Sequence, residues 1–447
     1  MIRKVLIATR GEVALRIIRT CREMGIRTVA VCSTAEREAL HVRLADESVC
    51  IGPPPIAESY LNVPRLLGAA ETTGADAIHP GYGLLSESAA FAEVCHNCGI
   101  TFIGPTLRNL RLMGNKGKAR EVVSRAGVPV LPGIPRKISD AREALRAASG
   151  VGFPVLIKAA SGAGGRGLRV VREPSEFLDA YETARADVRA AFGDEHLIVE
   201  RYCTDARHVE FQILADTDGN AVHLGERECT IQRRFEKVLE ESPCGAMTPA
   251  LRAEMGEAAI KAAAAVNYAN VGTVEFLLDA KGRYYFIEMS ARIQVEHPVT
   301  EMVTGVDVVK EQIQLADGQP LAIHQEDVRL RGHAIECRIY AEDPVTFERS
   351  YGTVARYHPP GGSGVRVESA LQVNDPVSPH SDPLLAKVIA HAETRPAAIA
   401  KMRVALREMV LDGLPSNLDL HRQILADPDF VEGRVTSSFL SRFGGRP

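Results

Sequence analysis

Two short apolar runs, Thr273 to Leu278 (TVEFLL) and Tyr284 to Ser290 (YYFIEMS), flank Asp279-Ala-Lys-Gly282. Turn residues between strand-forming runs predict a β-hairpin. Strict alternation then puts Tyr285, Ile287 and Met289 on one face and Phe286, Glu288 and Ser290 on the other. Pairing Asp279 with Tyr284 around a four-residue loop sets Glu275 directly opposite Glu288. Two facing carboxylates repel unless a cation lies between them, and hard oxygen donors without a nearby cysteine suit magnesium or manganese. Spacing alone serves equally well for a plain hairpin whose acids face solvent or pair with Arg283 and Arg292.

The chain has 447 residues, enough for two or three domains. Its composition, 45% hydrophobic and 25% charged, is that of a globular protein. A net charge of -4 with mixed signs argues against a nucleic-acid or membrane surface, so basic residues are read as local sites for small anions. No signal-peptide pattern and no membrane-length apolar run occur, which predicts a cytoplasmic protein. Nine cysteines show no repeated spacing; Cys95 and Cys98 lack the second pair of a zinc site and read as thiols on a helix end. There is no internal repeat and no biotin-attachment segment.

Along the first hundred residues, KVLIA, RTVAVCS, SVCIG, ADAIH and ITFIG alternate with amphipathic segments, the pattern of a doubly wound α/β layer. Thr9 and Glu12 have the spacing of a capping box. Glycines at 162, 164 and 167 lie between strand-like FPVLIK and LRVV. A dinucleotide fingerprint would open a helix there; two strands instead predict a hairpin whose amides close over phosphates, with Lys158 as the cation. HLIVERY and HVEFQILAD continue the strands, and the basic QRRFEK at 232 to 237 reads as a solvated face. A helix is expected over 307 to 316. In AIECRIYAED, Arg338 shares the polar face with Glu336, most simply as a surface ion pair. A last helix is expected from Pro396 to Leu411, stopped by Gly413.

Lysine, glycine hairpin, acid-bearing strand pair, arginine and glutamate follow one another as in the ATP-grasp superfamily. RGEVALRIIR, HPGYGLLSE, FIEMSARIQVEHPVTEMVTGVD and GHAIECRIYAEDP more closely resemble biotin carboxylase, the ATP-dependent component of biotin-dependent acetyl-CoA and acyl-CoA carboxylases. The resemblance covers essentially the whole chain. It implies a Rossmann-like α/β domain over 1–114, an ATP-grasp domain over 115–330 with a lid at about 131–203, and an α+β domain over 331–447. The implied reaction uses ATP to convert bicarbonate to carboxyphosphate, whose carbon dioxide is captured by carrier-bound biotin.

Residue by residue, the resemblance implies ATP contacts at Lys116, Lys158, Gly164, Gly165, Glu200, Arg201, Tyr202, Cys203, His208 and Gln232. It implies metal ligands at Glu275, Glu288 and Ser290, for Mg2+ or Mn2+. Bicarbonate falls to Lys237, Arg292, Gln294 and Val295, proton transfer to Glu296, the biotin ureido oxygen to Arg338 and the pocket wall to Tyr82 and Gly83. The implied partners are a biotin carboxyl carrier protein and a carboxyltransferase on other chains, with a homodimer formed through Arg19, Glu23 and Arg366. Phe235 replaces the usual histidine, Ser290 the usual asparagine, Ser363 the usual phenylalanine and Tyr351 the usual proline, and residues 380–383 also depart from the pattern. An active enzyme is therefore expected ahead of an ATP-grasp ligase with another amide or urea acceptor, a catalytically weakened regulatory subunit and, remotely, a nicotinamide oxidoreductase.

Overall fold

Short, wholly apolar strands separated by helices require a parallel sheet covered on both faces. The computed structural model describes residues 1–134, 140–160, 168–193 and 196–443. Strands β1 (Lys4–Ile7), β2 (Arg27–Ser33), β3 (Glu47–Gly52), β4 (Ala77–His79) and β5 (Thr101–Phe102) form that sheet in the order β3-β2-β1-β4-β5. Chain order reverses between β1 and β4, so the loops after these two strands flank the crevice where such sheets place ligands. Glu12, in the first turn of the helix after β1, and Tyr82, in the loop after β4, come from these two connections.

The capping box is not formed. The helix Gly11–Glu23 starts after Arg10 without a side-chain cap. Glu12 instead accepts a hydrogen bond from the Tyr82 hydroxyl and lies 3.2 Å from Lys387. Lys387 is fully buried, and a buried ammonium needs a counter-charge more than a helix start needs its cap.

The segment expected as a lid forms a separate antiparallel sheet, β6 (Gly133–Ile134), β9 (Leu197–Arg201), β7 (Val155–Ala159) and β8 (Arg169–Val171) in that spatial order. The helices Ala141–Val151 and Phe177–Phe192 share its apolar core. The segment 161–167, with Gly164 and Gly165, lies outside the described residues.

The largest sheet combines β10 (Arg207–Ala215), β11 (Ala221–Arg233), β12 (Glu236–Ser242), β13 (Asn270–Leu278), β14 (Tyr284–Ser290) and β15 (His333–Tyr340). Two short ladders pair β16 (Gly352–Thr353) with β19 (Pro376–Val377) and β17 (Arg356–His358) with β21 (Val410–Asp412). β18 (Val365–Ser369) and β20 (Leu384–Ala392) complete the eight-stranded order β14-β13-β10-β11-β12-β15-β20-β18. Hydrogen bonding thus runs without a break past residue 330. The last expected helix spans Arg395–Glu408 only, because Val410–Asp412 is taken up as β21.

The β13–β14 hairpin reaches the expected acid pair by a different register. Leu278 pairs with Tyr284 and Phe276 with Phe286, then a bulge at Ile287 restores Glu275 opposite Glu288. Strict alternation therefore fails: Tyr284, Phe286, Met289 and Ala291 all enter one core, and Phe286 does not share a face with Glu288. One extra residue in a strand shifts the side-chain phase by one position.

Burial lowers the pKa of His79 to about 3 and of His421 to about 4, from an ordinary 6.5. Both are neutral in the fold and protonate readily only in the unfolded chain. Their stabilisation is complete above about pH 6.5 and is lost as pH falls, by up to about 1.4 kcal/mol per pH unit for each group. Urea midpoints at pH 7 and pH 5 should show this slope, and His79→Gln should flatten it.

Candidate active site

Cross-strand pairing lines up three acids on adjacent strands: Glu288 opposes Glu275, Glu275 opposes Glu210, and Glu210 opposes Arg227. Like charges directly opposite on a sheet destabilise it, so this row needs cations. Arg227, fully buried, donates to Glu210 at 2.7 Å, Gln212 at 2.8 Å, Thr300 at 2.9 Å and Thr273 at 3.1 Å. Lys237 Nζ donates at 2.5 Å to both Glu210 and Glu296 and lies 3.6 Å from Glu275. Burial alone would lower the Lys237 pKa, but these three acids raise it well above its usual value. QRRFEK is therefore no plain solvated face: Arg234 and Phe235 make the hairpin tip, at φ 51° and 64°, and Lys237 turns inward. Phe235 stays exposed, with Arg233 below it paired to Glu342.

His208 Nε2 sits 2.9 Å from Glu275 and 3.5 Å from Glu210. Burial disfavours its charge, yet these contacts carry its pKa up to about 9. Glu275 is opposed in the same way: burial pushes up, but Lys237 and His208 bring it down to about 2. Ser290 Oγ donates to Glu275 at 2.7 Å, and Lys116 ion-pairs with Glu288, lowering that acid. Glu275, Glu288 and Ser290 offer only hard oxygen atoms, a donor set that fits a magnesium ion.

Lys158, at the end of β7, pairs with Glu200 of β9 at 2.6 Å. The backbone of Arg201 and Tyr202 is held to Pro132 and Pro154 at 2.8 and 2.9 Å, which fixes the strand end that leads to half-buried Cys203. Gln232 donates to the Cys229 carbonyl at 2.7 Å and lies opposite Lys237.

After β14 the chain turns through Arg292 to Glu296 into the helix His297–Thr304. Arg292 donates to Gln294 at 2.8 Å and approaches Glu87 at 3.4 Å, while Gln294 donates to Glu275 at 2.9 Å. The Val295 carbonyl accepts from Lys387 at 2.8 Å. Glu296 is fully buried between Lys237 and Arg338, the latter at 2.8 Å. Arg338 is thus no surface partner of Glu336. It is buried and pairs with Glu240 and Glu296, and Asn417 and His421 bond its carbonyl at 2.9 and 2.7 Å. Tyr82 is half-buried, its ring 5.9 Å from Lys387 Nζ, and Gly83 is exposed at φ 65°.

Sequence reasoning missed Glu210, Arg227, Glu240, Glu87 and Lys387. Alternation in HVEFQILAD puts His208, Glu210 and Gln212 on one face, a signal that could have found Glu210. The others are joined only by strand order. Away from the site, Arg19 pairs with Glu368 and Arg366 with Glu301, each at 2.7 Å, beside Glu23 in one surface hollow. The described cysteines are free, with Cys95 buried on the helix Ala89–Asn97 and Cys98 exposed just after it. Among the described residues, no helix is long and apolar enough to cross a membrane.

A separate small antiparallel sheet carrying Lys158, together with an acid-lined antiparallel sheet whose acids pair with Lys116 and Lys237, defines an ATP-grasp enzyme. Residues 1–110 match the biotin carboxylase N-terminal domain, 115–324 the carbamoyl-phosphate synthase L chain ATP-binding domain and 336–442 the biotin carboxylase C-terminal domain. The biotin carboxylase of Nostoc sp. is 52% identical over 98% of both chains, and that of Pseudomonas aeruginosa is 51% identical over 99% of this chain and 98% of its own. Among solved structures, the biotin carboxylase–β,γ-ATP complex from Campylobacter jejuni superposes with TM-score 0.97 at 44% identity, covering 99% of each chain. The biotin carboxylase domain dimer of Hydrogenobacter thermophilus 2-oxoglutarate carboxylase, in complex with MgADP, ADP and bicarbonate, gives 0.96 at 46% identity over the whole of both chains. The chain belongs to the biotin carboxylase family.

Replacing Arg227 by methionine removes one of the two cations bonded to buried Glu210 and strips Gln212, Thr300 and Thr273 of their donor. The expected loss is about 3–5 kcal/mol in denaturant unfolding.

Proposed function

We propose that this enzyme carboxylates biotin with bicarbonate and ATP, and that the carrying observation is Glu296 held between Lys237 and Arg338. Such a carboxylate is an anion fixed between two cations at the junction of two pockets. Toward the acid row, Arg292, Lys237, Gln294 and the Val295 backbone bind bicarbonate; toward β15, Arg338 faces the biotin ureido group.

Lys116 and Lys158 neutralise the nucleotide phosphates, exchanging Glu288 and Glu200 for phosphate oxygens. Glu275 and Glu288, with Ser290 beside them, would hold Mg2+, or Mn2+ through the same oxygens; when bound, the ion neutralises charge on the terminal phosphates. Gly164, Gly165, His208, Gln232 and the segment Glu200 to Cys203 complete the nucleotide pocket. Glu296 takes the bicarbonate proton, the freed oxygen bonds to the γ-phosphorus as the bond to ADP breaks, and Arg292 retains the carboxyphosphate by its planar fork. Carboxyphosphate then breaks its carbon–oxygen bond to give carbon dioxide and phosphate, the phosphate accepts the N1 proton, and Arg338 donates to the ureido oxygen as N1 attacks carbon dioxide. Tyr82 and Gly83 form the pocket wall.

Biotin arrives on a carrier chain in the cytoplasm and leaves for a carboxyltransferase on another chain. A second copy of this enzyme docks through the face bearing Arg19, Glu23 and Arg366. Domain limits of 1–114, 115–330 and 331–447 suit this division of labour.

Bicarbonate-dependent ATP cleavage, measured with and without free biotin, tests the roles. Glu296→Ala should slow both activities about 10²–10⁴-fold. Arg338→Ala should slow the biotin-dependent rate about 10²-fold and spare cleavage without biotin. Unchanged turnover in both variants refutes the assignments. Ser290→Asn, which adds an amide carbonyl, should tighten Mg2+ binding several-fold by calorimetry, on the order of 1 kcal/mol.

A further inference from the structure

Arg338 has one edge occupied and one edge open. Its Nε donates to Glu240 Oε1, Nη2 ion-pairs with the same oxygen, and Nη2 donates to Glu296 at 2.8 Å. Nη1 has only the Tyr340 hydroxyl, at 3.4 Å, among the described residues. Glu240 is fully buried and its Oε2 has no hydrogen-bond partner. Among the described residues, the arginine is the only hydrogen-bond partner of its side chain.

We infer that Glu240 is a positioning residue for biotin carboxylation: it grips the Nε–Nη2 edge of Arg338, so that Nη1 is left to face the ureido oxygen and Glu296 is left free to act as base. The inference rests on the proposed role of Arg338. Without Glu240, the only acid bonded to the guanidinium is Glu296. A guanidinium and a lone carboxylate close into a two-pronged pair, which would occupy both the base and the donor.

The surroundings fit a carboxylate kept for position at an electrostatic cost. Glu240 faces Arg338, Glu336 and Tyr340 of β15, Glu296 ahead of the helix His297–Thr304 and Lys237 of its own strand; Lys387 of β20 lies beyond Glu336. Burial, against the pull of Arg338, raises its pKa to about 7. Its cross-strand partner Glu336 is fully buried, has no hydrogen bond on either oxygen, and burial drives its pKa well up. Arg338 is shared between Glu240 and Glu296.

The test compares E240A, E240Q, R338Q and the double variant E240A/R338Q on free biotin. E240A should lower biotin-dependent kcat about tenfold, with KM for ATP within about twofold of wild type. E240Q keeps the side-chain shape, so it carries the test if E240A fails to fold. It should shift the acid limb of the pH profile to lower pH, because it takes a negative charge out of the cluster around Arg338. The double variant should be no slower than R338Q, since Glu240 acts through Arg338. Wild-type turnover and pH profile in both Glu240 variants, or losses that multiply in the double variant, overturn the inference. Wild-type turnover in R338Q overturns the reading of Arg338 itself, and the inference with it.

Discussion

Three glutamates aligned across adjacent strands are the constraint around which this protein is built. Glu288, Glu275 and Glu210 repel one another, and the sheet tolerates them only because cations close from several directions. Arg227 takes Glu210 from within the sheet, Lys237 arrives from β12 to sit among Glu210, Glu275 and Glu296, His208 leans on Glu275, and Lys116 takes Glu288. Most of these pairs are buried, Lys116 with Glu288 is partly exposed, and under the proposed function the same groups would meet an anionic substrate and its metal. A site already balanced by internal pairs can exchange them for phosphate and bicarbonate without exposing a lone buried charge.

The second organising element is the ionic layer between the sheets. Lys387, on the second strand from one edge of the continuous sheet, reaches Glu12 of the first domain and the Val295 carbonyl. Arg338, on the neighbouring strand and directly opposite Lys387, reaches Glu296, while Asn417 and His421 hold its backbone from behind. Glu296, Arg338 and Tyr82 are therefore linked through one set of contacts drawn from all three parts of the chain. Under the proposed roles, that arrangement would give the groups the fixed geometry on which electrostatic stabilisation depends.

Much of this was legible beforehand. Local apolar runs foretold the parallel sheet strand by strand, and turn residues foretold the hairpin with Glu275 opposite Glu288. The hairpin register was not legible, because the bulge at Ile287 changes phase in favour of burying Phe286 and Met289 together. Glu12 was misread as a cap because its true partner, Lys387, lies far along the chain. Arg338 was read as a surface residue because alternation reports a face and cannot say what covers it.

By itself, then, the sequence determined which segments are strands, which residue types sit at turns, and that two acids oppose each other across one hairpin, since these depend on neighbours within a few residues. Family resemblance extended that to a chemistry. Only the tertiary structure decided that Glu210 joins the acid row, that Lys237 turns inward, and that Arg338 is divided between Glu240 and Glu296. Those are contacts between side chains far apart in the chain, and their charge states follow from burial, which strand order creates and local pattern cannot contain.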